Sequence, residues 1–206
     1  MNYVCAFAYL LLSVYHIYFQ KRKWITKPLL APAAALCHIF AARTPDVWSL
    51  VAFSLCCAGD TILLLKGSFA FKAGGSCFLC ALLLFAWSFA RKLPVNLRVC
   101  AASAAAFFLF FFIALKIAKH AAGSHKAGRL LWSVYLSFNA LVCSLAFACA
   151  IFTPGARGWI SFAGAALFFV SDCFLCQKLS HQSQSRHAVM LTYTAALFLI
   201  ALGAAR

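Results

Sequence analysis

The chain of 206 residues is 66% hydrophobic and 10% charged, with a mean hydropathy of +0.94, which excludes an ordinary soluble domain, whose apolar share is about half. Its formal charge of +15 arises from 18 Lys and Arg set against three Asp and no Glu. Those basic residues fall in short connections between apolar runs, where they set topology; this excludes nucleic acid as a partner and identifies a polytopic membrane protein.

Eight apolar segments follow in chain order, at roughly 2–19, 28–42, 47–65, 69–90, 95–115, 130–152, 158–177 and 187–205. Most reach the roughly 20 residues that a helix needs to cross the hydrocarbon core, and backbone left unpaired against lipid is too costly for any looser form. The second, opening at Pro28, is short. The first lacks the basic start and small-residue cleavage site of a signal peptide. The expected fold class is all-α, a single integral membrane domain over 1–206 built as a bundle of eight transmembrane helices.

Connections 1/2, 3/4, 5/6 and 7/8 carry twelve of the basic residues, and the opposite side carries Arg43, Arg91, Lys92, Arg98, Arg157 and Arg206. The excess marks the cytoplasmic side and puts both termini on the other. The expected location is the cytoplasmic membrane of a bacterium, or an internal membrane in a eukaryote.

Two of the three acids lie inside apolar runs, Asp60 in the third segment and Asp172 in the seventh. Asp60 begins D-T-I-L-L-L-K and Asp172 begins D-C-F-L-C-Q-K, each after a small residue, Gly59 or Ser171, and each with Lys six places on, Lys66 or Lys178. The offset of 112 residues spans four helices. It suggests a parallel four-plus-four internal repeat that sets both acids at equal depth, about 9 Å from the basic boundary.

Two carboxylates sharing a desolvated cleft do not ionise together, so the pair offers one proton donor and one anion. Enzymes that cleave acetal or ether-like bonds through an oxocarbenium ion use that combination. The competing reading is that each aspartate caps a broken helix or pairs with Lys66, Lys178 or another buried polar group.

Lys27-Pro28-Leu29, F-S-L-C-C-A-G-D at 53–60, A-L-F-F-V-S-D at 166–172 and V-M-L-T-Y at 189–193 resemble the YhhN-like lysoplasmalogenases across most of the chain. That resemblance implies an eight-helix membrane enzyme that hydrolyses the vinyl ether of a lysoplasmalogen to a fatty aldehyde and a glycerophospho-base. It implies Asp60 and Asp172 as catalytic residues, Lys27 and Tyr193 as further site residues, and no cofactor. The chain departs from the family at A-L-L-L-F, 81–85, and T-Y-T-A-A-L, 192–197, where the family tends to carry a His, a Tyr and a Gln.

On this reading Asp60 or Asp172 protonates the enol ether and the other stabilises the cation, with Ser54, Ser171, Tyr193 and Asn139 as hydrogen-bonding neighbours. A lysophospholipid substrate lies with its chain among the helices and membrane lipid, its phosphate meeting Lys27, Lys66 and Lys178 at the basic rim. The rival readings are a small-solute or proton-coupled transporter and an inactive lipid-binding relative.

C-F-L-C occurs at Cys77–Cys80 and Cys173–Cys176. Inside membrane helices these are read as packing residues rather than as a metal site, and the eleven cysteines as no disulfide framework. His16 and His38 are read as hydrogen-bonded packing residues.

Overall fold

Apolar runs of this length satisfy their backbone only by coiling, and in the computed structural model, which describes residues 3–19, 23–65, 67–122, 126–179 and 186–205, they do so throughout. Lys66, Lys21, Arg22, His125, His181 and Arg206 lie outside the described residues. The described residues form eight helices and no strand: α1 Tyr3–Tyr18, α2 Lys23–Ala41, α3 Val47–Ile62, α4 Ser68–Ala90, α5 Leu97–Ala122, α6 Lys126–Phe152, α7 Ala156–Leu179 and α8 Arg186–Gly203. Six are long and apolar enough to cross a bilayer, and α1 and α3 are shorter apolar helices. The chain is an integral, multi-pass membrane protein.

Four boundaries differ by three residues or more from the sequence-based expectation. Helix α2 begins at Lys23, upstream of Pro28, and runs through both Pro28 and Pro32. A proline inside a membrane helix is tolerated where neighbouring helices re-satisfy the freed carbonyls, so Pro28 is not a start. Helices α5 and α6 extend toward each other as far as Ala122 and Lys126. Their terminal turns carry Lys116, Lys119 and Arg129, whose long stems let a helix continue beyond the hydrocarbon. Helix α3 stops at Ile62, where Leu64 and Leu65 donate their N–H groups to Thr61 and Ile62 and tighten the chain into a turn.

Neighbouring helices pack in chain order, α2 on α3, α3 on α4, α5 on α6, α6 on α7 and α7 on α8, while α8 returns to α1 and α2 and α6 crosses α4. The interior holds Phe53, Phe85, Phe89, Phe168, Leu82, Leu197 and Ile200, with Ala114, Ala118, Ala146, Ala165 and Ala201 fully buried between helices. Small residues are what membrane helices use to approach closely, because lipid gives no hydrophobic gain to larger ones. Gly164 marks one such close approach on α7: a Cβ there would stand 2.7 Å from the backbone nitrogen of Ile200 on α8.

The end of the bundle away from the aspartate pair is closed by a polar network around the third acid. Asp46 caps α3, accepting from the Ser49 N–H and hydroxyl at 3.2 and 2.8 Å and from the Ser88 hydroxyl of α4. Arg91 stands 3.8 Å away. The Asp46 N–H donates to His38 Nε2, and His38 Nδ1 lies 2.9 Å from the Ala201 carbonyl, which only accepts. His38 is therefore the Nδ1–H tautomer, bonded at both nitrogens as a packing histidine. Lys92 and Arg157 donate to the carbonyls of Ala204 and Ala205, just past the end of α8, at 2.8 and 2.9 Å. His16 is also a bonded packing residue, 2.7 Å from Thr26.

Burial alone would push the Asp46 carboxyl up, but the Ser88 and Ser49 hydrogen bonds and nearby Lys92 outweigh it and hold the group below the ordinary carboxylate value of 3.8. A lowered folded-state value adds stability above the ordinary one and loses it as pH falls through the folded one. Purified Asp46→Asn is expected to melt lower than wild type at pH 7 and to lose less stability below about pH 4. Gly164→Ala is expected to lower stability by about 1–3 kcal/mol, since backbone must move. Gly75→Ala, whose Cβ meets open space on α4, is expected to be neutral or stabilising in the same thermal melts.

Candidate functional site

The carboxylates of Asp60 and Asp172 are brought to one end of the bundle, close enough to feel each other's charge, with the Cys56 thiol in range of both. Asp60 sits in the last turn of α3 and Asp172 two turns before the end of α7. Both are buried, at 1% and 6% exposure. Each needs compensation there, and the two receive it differently.

Asp60 uses both oxygens. Lys27 of α2 is 2.9 Å from Oδ1, and the Tyr193 hydroxyl of α8 donates to Oδ2 at 2.7 Å. Tyr193 is fixed by edge contacts with Phe78 and Phe168, at centroid distances of 6.2 and 5.8 Å. Tyr9 of α1 steadies the next turn of chain by donating to the Thr194 carbonyl at 2.7 Å. Lys27 reaches Asp60 because α2 begins before it; expected at the rim facing phosphate, it is instead the ion-pair partner of an acid.

Asp172 has neutral partners from α6. Tyr135 and Asn139 both donate to Oδ2, at 2.9 and 2.8 Å, and Oδ1 takes no hydrogen bond from the described residues. Tyr135 and Asn139 are four residues apart, so they share one face of α6.

These contacts carry the internal repeat into three dimensions. Lys27 and Asn139 each lie 33 residues before the aspartate they bond, so they hold the same place in the two halves. One is a cation and the other an amide. On the opposite flank Tyr193 corresponds to Ala81, which is buried and offers no hydroxyl. The spacing is matched, and the chemistry is not.

Of the other expected residues, Ser171 is buried beside Asp172 but donates to the Val189 carbonyl at 3.1 Å, tying α7 to α8. Ser54 is exposed and turns back to the Leu50 carbonyl of its own helix at 3.1 Å, so it does not join the aspartates. Lys178 lies near the end of α7, in range of Arg186 on α8. Lys66 is outside the described residues. The residues missed were Tyr135 and Cys56. Each stands one turn before a polar site residue, at the four-residue spacing that puts two side chains on one face.

Cys77 and Cys80 lie on α4, Cys80 exposed, while Cys173 and Cys176 are buried on α7; all eleven cysteines are thiols. Among the described residues no three His, Cys or Asp side chains are grouped as metal ligands.

A model of the YhhN family matches residues 22–204, which include both aspartates and every partner named for them except Tyr9. No curated protein and no solved structure matches the chain.

Removing one member of a buried ion pair strands the other charge, at a cost of about 3–5 kcal/mol. Lys27→Met is therefore expected to destabilise the purified protein by that order, and Lys27→Met/Asp60→Asn to recover most of it. Denaturant unfolding of the single and double variants checks this, and equal losses in both would contradict the pairing.

Proposed function

Because the chain belongs to the YhhN family, we propose that it is a membrane-embedded hydrolase that cleaves the vinyl ether of a lysoplasmalogen-type lysophospholipid, with Asp172 as acid and Asp60 as anion. The observation that carries this reading is the unequal compensation of two buried carboxylates at matched positions: a lysine and a tyrosine for one, a tyrosine and an amide for the other.

Lys27 pairs with Asp60 and favours its ionised form. Among the described residues no cation pairs with Asp172, and its two donors occupy one oxygen, leaving Oδ1 to hold a proton. Delivery of that proton to the β-carbon of the enol ether converts the ether oxygen and α-carbon to an oxocarbenium ion and leaves Asp172 as the counter-anion. Water adds to the α-carbon as its proton passes back to Asp172. The resulting hemiacetal collapses to aldehyde and alcohol, and the acid is regenerated. Asp60, held by Lys27 and Tyr193, adds negative potential beside the cation and orients the water. The substrate's chain lies among the helices, and its phosphate meets Lys178 at the basic end.

Asp172→Asn is expected to reduce aldehyde release from lysoplasmalogen by about 10²–10⁴-fold in purified protein. Asp60→Asn is expected to reduce it as well, and Tyr193→Phe to reduce it less. An acyl lysophospholipid of the same head group serves as the comparison substrate. Full activity in either aspartate variant removes that residue from the mechanism.

A further inference from the structure

All three carboxylates of the chain are accounted for: Asp46 lies by Arg91, Asp60 holds Lys27, and Asp172 is bonded by Tyr135 and Asn139. No acid is left to oppose the cations between α5 and α6. A cavity of about 360 Å³ opens there, lined by Leu115 and Lys119 of α5 and by Arg129, Leu130 and Ser133 of α6. That volume falls within the roughly 300–1,000 Å³ of small-ligand sites.

The lining has two parts. Lys119, Arg129 and Ser133 bring an ammonium, a guanidinium and a hydroxyl together, a donor set suited to phosphate oxygens, with the planar fork of Arg matching two at once. Arg129 and Ser133 belong to the first two turns of α6, whose unpaired N–H groups and dipole add to the positive potential. Leu115 and Leu130 supply apolar surface beside them, and Leu130 is 67% exposed. Helix α5 turns most of its surface outward, with 11% of its span buried inside the protein, so an occupant enters from the bilayer.

We infer that this cavity is a binding site for an anionic phospholipid, its phosphate on Lys119, Arg129 and Ser133 and its chain along Leu115 and Leu130. Basic pockets between helices at the positive side of a membrane protein are suited to such head groups. The site uses neither Asp60 nor Asp172 and stands independently of the hydrolase reading.

Native mass spectrometry of the full chain in neutral detergent, titrated with phosphatidylglycerol or phosphatidylcholine, tests it. Wild type is expected to retain phosphatidylglycerol preferentially. Lys119→Gln/Arg129→Gln is expected to bind it roughly 30-fold more weakly, about five-fold for each charge. Lys72→Gln/Lys116→Gln, which removes equal charge from exposed positions at the same end, is expected to bind as wild type does. If the first double variant does not fold, its two single variants decide, each with an expected five-fold loss. Unchanged affinity in the Lys119 and Arg129 variants, or an equal loss in the Lys72 and Lys116 variant, overturns the site. Displacement of the lipid by millimolar inorganic phosphate would assign the same donors to soluble phosphate and overturn the lipid as ligand.

Discussion

A carboxylate taken out of water into a membrane bundle has to be met by a cation or by several well-placed donors, or the helix carrying it will not stay in place. Asp60 ties three helices together on that account: α3 supplies the acid, α2 the lysine and α8 the tyrosine. Asp172 joins α7 to α6 in the same manner. Since α8 packs on both α7 and α2, the two sets of bonds link α2, α3, α6, α7 and α8 at the basic end of the molecule. Apolar packing alone would leave the rotation of each helix loosely defined; the carboxylates define it.

The two buried acids share the spacing to a partner but not the partner's charge. Lys27 and Asn139 are counterparts, and the change from ammonium to amide alters what the neighbouring acid can do. A single repeated site would present two equivalent carboxylates, a poor arrangement for chemistry that needs a donor and an anion at once. Divergence around the two acids gives them unlike partners at matched spacing. The departures from the family pattern in α4 and α8 fall elsewhere: Leu82, Phe85 and Leu197 contribute apolar core where the family tends to carry polar groups.

Much of this was legible in the sequence. The class, the eight helices and the matched aspartates follow from hydropathy and from one repeated heptapeptide, because carboxylates are rare enough here for any pattern among them to stand out. Asn139 was legible for the same reason, as a polar group in an apolar run, and Tyr193 through the family resemblance. The start of α2 was not, because Pro28 has the look of a first-turn residue and only tertiary neighbours make it an interior one; the role of Lys27 was lost with it. Ser54 shows the opposite error. Its hydroxyl can bond its own helix, so sequence proximity to an aspartate says little about direction. Tyr135 was hidden among six tyrosines, although its spacing from Asn139 places both on one face.

The brevity of α3 sets the depth of its second acid. Its carboxylates, Asp46 at one end and Asp60 at the other, are 14 residues apart, or about 21 Å along the axis, against roughly 30 Å for an average hydrocarbon core. Asp60 therefore stops about 9 Å short of the far boundary, and Lys27, entering from α2, carries its ammonium down to that level on a long apolar stem.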